Sequence, residues 1–575
     1  MKLKGAQILC ESLVKEGVDV IFGFPGGSVL PLYDTFPEYP QLRHILVRHE
    51  QGAAHAADGY ARATGGKVGV CIATSGPGAT NLVTGIASAY LDSSPMVAIT
   101  GQVARPFIGK DAFQEVDITG ITLPITKHNY LVMSAEELAR TVKEAFYIAR
   151  TGRPGPVLLD IPRDVFTEEA NYVYPQKVHL PAYRPTLRGH PQQIQRAAKA
   201  INSANQPLII AGRGVIISGA SSELTELAEK GQIPVTTTLL GIGSFPESHK
   251  LSFGMLGMHG MAYANMAVSN SDLIIAIGMR FDDRATAKVS DFAPKAKIIH
   301  IDLDPAEIGK NVRVDVPIVG DVKSVLKELN KLVQPQDRHE WVRIIEKWRD
   351  EHPSTTVRES SSLLPQYVIR KIYEVTGGNA IIVTGVGQHQ MWSAQHFWYD
   401  KPNTFISSGG LGTMGFELPA AMGAKVGKPE ETVWCIAGDG GIQMTIQELA
   451  TIVQEDIPVK IAILNNGYLG MVRQWQELFY NRRYVATPLT SPDFVKIAEA
   501  YGLPGRRVRQ KLEVVPTLEE AMSYKGPFLI DFMVEPEENV YPMVPPGASL
   551  AEIIEIKKKD VYAPTQEETL EVSNI

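Results

Sequence analysis

The residues with the most chemical content are Gly438-Asp439-Gly440 and, beyond residues 441–464, the pair Asn465-Asn466. Residues 432–437, Thr-Val-Trp-Cys-Ile-Ala, are expected as a buried strand, and residues 459–464 as a second one ending at the asparagines. Between them, Ile442, Ile446, Leu449, Ala450 and Val453 recur at helical spacing, which predicts a helix over 441–453. The order strand, glycine turn, helix, strand sets a carboxylate and an amide oxygen at the carboxyl ends of two strands, where open α/β sheets take ligands. Hard oxygen donors with positions left for phosphate oxygens suit Mg²⁺. The glycines admit a phosphate to the backbone, and a helix amino terminus near Gly441 favours negative charge. Alone, Gly-Asp-Gly is a turn; the asparagine pair at this distance gives it a further meaning. A second acid, Glu50, opens the alanine-rich segment Glu50-Gln51-Gly52-Ala53-Ala54-His55-Ala56-Ala57. By itself it is a favourable charge at a helix start, worth at most about 1 kcal/mol.

Three α/β blocks must position these groups: residues 1–166, 191–333 and 363–550, followed by a tail at 551–575. The first linker, 167–190, carries Pro175, Pro181 and Pro185, and the second, 334–362, is polar and charged. The tail holds Lys557-Lys558-Lys559 and Gln566-Glu567-Glu568 and is expected as a solvated end. The fold class expected is α/β, three consecutive domains with mainly parallel sheets flanked by helices. Blocks one and three echo each other: a strand at 68–73 runs into Ser75-Gly76-Pro77-Gly78, as the strand at 432–437 runs into Gly438-Asp439-Gly440-Gly441. The middle block offers strands at 208–211, 272–278 and 297–302. Gly212-Arg213-Gly214 follows the first, short of a full Gly-x-Gly-x-x-Gly fingerprint.

At 575 residues, 44% hydrophobic and 21% charged, the chain has the composition of a globular protein of several domains. A net charge of −7 gives no reason to expect nucleic acid or an anionic membrane surface as partner. Cys10, Cys71 and Cys435 are far apart and form no metal or redox motif, which points to a reducing compartment. Residues 1–17 suit an amphipathic helix with Ala6, Leu9, Leu13 and Val14 on one face better than a signal peptide, and no apolar run is long enough to span a bilayer. The expected location is cytoplasmic.

The Asp439 to Asn466 segment resembles the enzymes that bind thiamine diphosphate through Mg²⁺. The resemblance implies that Asp439, Asn466 and the backbone carbonyl of Tyr468 take the metal, and that Glu50 hydrogen-bonds N1′ of the aminopyrimidine. It also implies two domains of one topology, for pyrimidine and diphosphate, with the cofactor between two subunits and therefore at least a homodimer. Further segments are similar to the acetohydroxyacid synthase (acetolactate synthase) catalytic-subunit family over nearly the whole chain. They are Phe24-Pro25-Gly26-Gly27, Asp111-Ala112-Phe113-Gln114-Glu115, Val386-Gly387-Gln388-His389-Gln390-Met391-Trp392, Gly409-Gly410-Leu411-Gly412-Thr413-Met414-Gly415 and Gly470-Met471-Val472-Arg473-Gln474-Trp475.

What the family implies for residues extends further. The thiamine site comprises Glu50, Val386, Gly387, Gln388, His389, Met414, Gly438, Asp439, Gly440, Gly441, Met444, Asn466, Tyr468, Leu469, Gly470 and Met471. Met414 props the cofactor in its bent shape. Met255-Leu256-Gly257-Met258-His259-Gly260, the run from Gly278 through Arg280, Asp282 and Arg284, and Asp302 with Glu307 resemble flavin-binding segments. With Arg153, Gly212 and Gly214 they imply FAD in a largely non-redox role. The substrate channel comprises Gly27, Ser28, Ala104, Phe113, Gln114, Arg280, Met471 and Trp475. The family usually has alanine at Ser28 and proline at Ala104, so inhibitor sensitivity is in doubt here.

The implied reaction decarboxylates pyruvate and joins the two-carbon unit to a second pyruvate or to 2-ketobutyrate, toward branched-chain amino acids. Glu50 activates, Gln114 orients and Trp475 tunes the acceptor. The partners implied are these keto acids, a homodimer or homotetramer, and a small regulatory subunit. The rival readings are a flavin-dependent pyruvate oxidase and a non-catalytic paralogue.

Overall fold

The computed structural model describes residues 1–556 and the strand Glu571–Asn574. Three six-stranded sheets carry the fold, and every pairing within them is parallel. Helices cover both faces, so the central strands are buried throughout rather than on alternate residues: Gly69–Ala73, Met96–Gln102, Leu273–Ile277 and Lys460–Asn465 are buried at every residue.

In the first sheet the strands are Val20–Gly23, Arg43–Leu46, Gly69–Ala73, Met96–Gln102, His128–Leu131 and Pro156–Pro162. Numbered in chain order they lie side by side as 2-1-3-4-6-5. The third sheet, made of Ile381–Thr384, Phe405–Ser407, Val433–Gly438, Lys460–Asn465, Gly505–Val508 and Phe528–Met533, repeats that order, so the echo between the two blocks is a repeated topology. The middle sheet differs. Its strands Pro207–Ala211, Val235–Thr237, Ser252–Met255, Leu273–Ile277, Lys297–Asp302 and Val316–Val319 run 3-2-1-4-5-6, the order of dinucleotide-binding sheets. In all three the order reverses beside the first strand, which opens a crevice at the carboxyl ends of the strands.

Local structure departs from the sequence expectations in four places. The helix foreseen over 441–453 is broken into Asp439–Ile442 and Glu448–Gln454. Between them Met444, Thr445, Glu448 and Leu449 bond to the residue three before, and the Thr445 hydroxyl donates to the Gly415 carbonyl at 2.9 Å. Two glycines at the start and this tertiary bond favour tight turns over a continuous α-helix. The polar linker at 334–362 contains a helix, His339–Glu351, whose Trp341 and Ile345 are buried. Trp341 Nε1 donates to the Pro207 carbonyl at 3.0 Å and so ties the helix to the middle sheet. At the amino terminus a short strand, Lys2–Lys4, precedes the helix Gly5–Lys15 and pairs antiparallel with Glu169–Asn171 in the first linker. Near the end, Glu552–Glu555 pairs antiparallel with Glu571–Asn574; the charged stretch 557–570, expected as solvated, lies outside the described residues. Among the described residues no helix is long and apolar enough to cross a membrane, and all three cysteines are free and buried.

The first and third sheets meet through two helices, Glu50–Ala63 and Glu417–Gly427, that share one apolar core. Alanines and glycines line the contact. A Cβ on Gly59 would stand 2.1 Å from the Ala420 carbonyl oxygen, and one on Gly423 would stand 1.9 Å from that of Ala56. The backbones therefore touch, and neither glycine can be replaced without moving a main chain. Gly59→Ala is expected to cost about 1–3 kcal/mol by overpacking, read as a lower denaturation midpoint; an unchanged midpoint would mean that the helices can part freely.

Candidate active site

Strand Val433–Gly438 delivers Asp439 and strand Lys460–Asn465 delivers Asn466, and these strands are neighbours in register. Asp439 is buried; it accepts from Ser491 Oγ at 2.8 Å, and the N–H groups of Asn466 and Gly467 point at its carboxylate. Burial outweighs these bonds and pushes its acid up to about 6. Asn466 Oδ1 accepts from the Tyr468 N–H at 3.1 Å, so the 466–468 turn folds on itself beside Asp439, whose carboxylate faces the Asn466 and Gly467 N–H groups. Among the described residues no cluster of three or more His, Cys, Asp and Glu side chains could cage a metal. The donors here are one carboxylate, one amide and a main-chain carbonyl, a set that suits a hard cation keeping open positions.

Around this locus lie most of the residues singled out for the diphosphate side. His389 is buried beside Gly387 and Gly438, its ring within 3.0 Å of where a Cβ on either would sit. Burial holds it near 4, a neutral imidazole, and its Nε2 has no hydrogen-bond partner. The Met414 methyl and Leu469 flank Gly440. Met444 is 55% exposed. Gln388 is fully engaged inside the protein: Oε1 accepts from Asn466 Nδ2 at 3.2 Å, while Nε2 donates to Gln474 Oε1 and the Glu538 carbonyl, both at 2.9 Å. It orients Asn466, and Gly470 packs against the same pair.

Glu50 starts its helix directly after the strand Arg43–Leu46 and the turn at His49, whose Nδ1 accepts from the Gln51 N–H. It is buried, and Oε2 accepts from Asn81 Nδ2 at 2.9 Å. Its other neighbours, Gly78 and Tyr33, also belong to the first sheet's crevice. Ser28 is buried nearby, its hydroxyl 2.9 Å from Thr74 Oγ1 and accepting from the Ser75 N–H. Gln114 takes a positive φ of 60° in a loop held by Glu115, which accepts from the N–H groups of Gly109, Lys110 and Ala112. Phe113 is 89% exposed. Gly27 and Ala104 border the same region, on the turn after the first strand and at the start of Arg105–Phe107.

A large cavity of about 1500 Å³ opens where the three domains meet. Its wall includes Arg153, Gly214, Met255, Leu256, Met258, His259, Gly278, Arg280, Asp282, Arg284, Asp302 and Glu307, with Val386, Gly387, Met471 and Trp475 from the third sheet's side. Gly212 lies just behind, pressed on the Gly278 carbonyl. Trp475 is half-buried, edge-on to Phe479, with the Arg284 guanidinium 6.0 Å above its ring. His259 is buried and held near 4, with Nδ1 unpartnered, and burial pushes Asp302 up to about 7. Gly27, Ser28, Glu50, Ala104, Phe113, Gln114, Asp439 and Asn466 lie outside this wall. The structure thus brings the candidates together in three groups: those around Glu50, those around Asp439, and those on the cavity wall, where Arg153 of the first domain and Val386, Gly387, Met471 and Trp475 of the third join the middle domain's residues.

Three structural acids escaped the sequence reading. Glu448 accepts from the Arg48 and His49 N–H groups and from Thr451 Oγ1, so it braces the entry to the Glu50 helix from the third domain. Asp92 accepts from Arg62 and from the N–H groups of Gly409 and Gly410. Glu417 is wholly buried between Gly385 and Gly441, with no hydrogen-bond partner for either oxygen, and burial raises it to about 7. Its only sequence signal is a lone acid in the apolar run Phe416-Glu417-Leu418-Pro419. Because its folded acid constant lies above the unfolded one, its contribution to stability is complete below the unfolded value and is lost as pH rises through about 7. Glu417→Gln is expected to flatten the fall in stability between about pH 5 and 8, measured as thermal midpoints of the cofactor-free chain; a parallel curve would mean that Glu417 is ionised in the fold.

The chain matches three models of thiamine pyrophosphate enzymes: the N-terminal TPP binding domain over residues 3–121, the central domain over 194–329 and the C-terminal TPP binding domain over 385–532. It is 53% identical over 565 residues to an acetolactate synthase of Mycobacterium bovis, covering 96% of this chain and 91% of the relative. It is 51% identical over 564 residues to an acetolactate synthase large subunit of Corynebacterium glutamicum, covering 96% and 90%. A third, the acetolactate synthase large subunit of Pyropia yezoensis, is 52% identical over 567 residues, with 96% of each chain covered.

Proposed function

The chain belongs to the acetolactate synthase large-subunit family of thiamine pyrophosphate enzymes, and from that premise we propose that it decarboxylates pyruvate and condenses the two-carbon unit with a second 2-keto acid. Pyruvate as acceptor gives 2-acetolactate, and 2-ketobutyrate gives 2-aceto-2-hydroxybutyrate. The observation that carries the site assignment is the convergence of Asp439, Asn466 and the Tyr468 main chain beside the partnerless His389 Nε2. That convergence supports Mg²⁺ on the three oxygens and a diphosphate along Gly387, Gly438 and Gly440. When bound, thiamine diphosphate supplies a carbon nucleophile and an electron sink for loss of CO₂.

The remaining work falls to side chains. Glu50, buried and held by Asn81, shares a proton with the aminopyrimidine and so sets the cofactor's basicity. Met414 and Leu469 fill the space beside Gly440 and would give a bound cofactor an apolar prop there. Gln114 and the strained loop around it orient substrate. Trp475, with Met471, offers apolar surface to the acceptor's extra methylene, a preference of roughly 1 kcal/mol for 2-ketobutyrate. The cationic Arg280 and Arg284 draw the keto-acid carboxylates toward that wall.

FAD is the second cofactor of this proposal. Its support is the strand order of the middle sheet, a cavity larger than the usual 300–1,000 Å³ of small-ligand sites, and buried, partnerless polar atoms at Arg213 Nε and His259 Nδ1. The working unit is at least a homodimer. All named neighbours of Glu50 are in the first domain and those of Asp439 in the third, while Phe113 and Met444 are exposed. A second copy, bringing its third domain to this chain's first, completes each site.

The test is a product assay on pyruvate and 2-ketobutyrate with thiamine diphosphate, Mg²⁺ and FAD, with and without oxygen. Oxygen-independent 2-aceto-2-hydroxybutyrate in excess over 2-acetolactate is expected. Oxygen-dependent acetate or acetyl phosphate would make the chain a pyruvate oxidase. Glu50→Gln is expected to lose about 10²-fold or more in rate while thiamine diphosphate still binds; full activity would remove Glu50 from the mechanism.

A further inference from the structure

At the switch point of the middle sheet, strands Pro207–Ala211 and Leu273–Ile277 are neighbours, and their carboxyl ends carry Gly212-Arg213-Gly214 and Gly278-Met279-Arg280. The two turns press on each other. A Cβ on Gly212 would stand 2.2 Å from the Gly278 carbonyl oxygen, and one on Gly214 would stand 2.6 Å from Gly278 Cα. Between two glycines that must stay bare, Arg213 projects a long cationic side chain into the wall of the large cavity.

That side chain is poorly served by the protein. Nη2 donates to Ser94 Oγ at 3.1 Å, and Nε is buried with no hydrogen-bond partner. The nearest carboxylates are already taken. Arg62 holds Asp58 through two nitrogens and Asp92 through one at 2.8 Å, and the rest of Asp92 serves the N–H groups of Gly409 and Gly410. Burial first, then the charge of Arg62, pulls the Arg213 acid constant down to about 9 against the attraction of Asp92 and Asp58, with Arg280 adding like charge. A half-buried guanidinium whose Nε is buried and unpaired, with one neutral partner, is a cost to the fold unless an anion compensates it, and its planar fork matches phosphate oxygens.

We propose that Arg213 binds the diphosphate of the dinucleotide that fills this cavity, through Nε and a terminal nitrogen; the inference rests on the flavin reading above. The role is specific to Arg213: Arg62, beside it, is saturated by Asp58, Asp92 and the Ser407 carbonyl.

The experiment uses the full chain freed of flavin and titrated with FAD and with riboflavin, which lacks both phosphates, followed by flavin fluorescence. Arg213→Met keeps the unbranched stem of the side chain and removes the guanidinium and its charge. FAD is expected to bind the variant at least about tenfold more weakly, while riboflavin binds variant and parent alike within about twofold, and Arg213→Lys recovers part of the loss. Without flavin the Met variant melts no lower than the parent, since a buried and uncompensated charge has been removed, and FAD raises the parent's midpoint more than the variant's. Unchanged FAD affinity, or a proportional loss for riboflavin, would overturn the proposal. So would a flavin-free variant that melts well below its parent, because Arg213 would then be a structural prop. Failure of the parent chain to bind FAD at all is a different result, and it would overturn the flavin reading itself.

Discussion

The closest constraint in the molecule is the main-chain contact between the helices Glu50–Ala63 and Glu417–Gly427. Gly59 and Gly423 let carbonyl oxygens of the opposite helix occupy the space where side chains would begin. Each helix starts at a functional crevice. Glu50 opens the first at the crevice of the first sheet, and Glu417 opens the second beneath Gly385 and Gly441. A slide of one helix along the other would move both crevices at once, and close-packed interiors resist such a slide. Two buried polar struts reinforce the contact. Glu448 grips the Arg48 and His49 N–H groups at one end, and Arg62, clamped by Asp58 and Asp92, reaches the Ser407 carbonyl at the other. The two thiamine-type domains of one chain are thereby braced against each other, with Glu50 at the crevice of the first sheet and Asp439 at that of the third.

Electrostatics around the third sheet follow from burial. Asp439, Glu417 and Glu448 are all pushed upward toward neutrality by desolvation, while His389 is held neutral. A crevice of this kind is costly for carboxylates on their own. A divalent cation at Asp439, as proposed, would reverse the local balance, because opposite charge favours the ionised acid. The cavity of the middle sheet is lined by Arg153, Arg213, Arg280 and Arg284; Arg153 is paired with Glu307, Arg280 with Asp282 and Arg284 with Asp283, while Arg213 keeps an unpartnered Nε. The two sites are joined by Asp92, which faces the cavity while holding the Gly409-Gly410 turn that leads to Met414.

Much of this was legible in the sequence where local pattern and chemistry coincide. The strand, turn and strand around Asp439 and Asn466 follow from apolar runs stopped by glycine, and the repeated topology of the first and third sheets was visible as a faint echo. Residues 339–351 read as a linker because charged positions outnumber the five apolar ones, Trp341, Val342, Ile344, Ile345 and Trp348, that hold the helix down. The break in the helix after Ile442 depends on the Gly415 carbonyl, which no window around Thr445 contains. Glu417, Glu448 and Asp92 were missed for the same reason: each is defined by partners brought in from another part of the chain. Arg213 was seen only as the middle of Gly-Arg-Gly, since its unpaired nitrogen is a property of the packed interior.

The central claim is that one chain holds the two halves of the thiamine site apart, so that each working site is shared by two copies. Co-expression of Glu50→Gln and Asp439→Ala chains, each inactive alone, tests it most directly. Sharing predicts that mixed dimers carry one intact site, so activity returns to about a quarter of the parent's under random pairing. Continued inactivity of mixed dimers, shown by differential tags to have formed, would place both residues in a site built by a single chain and contradict this account.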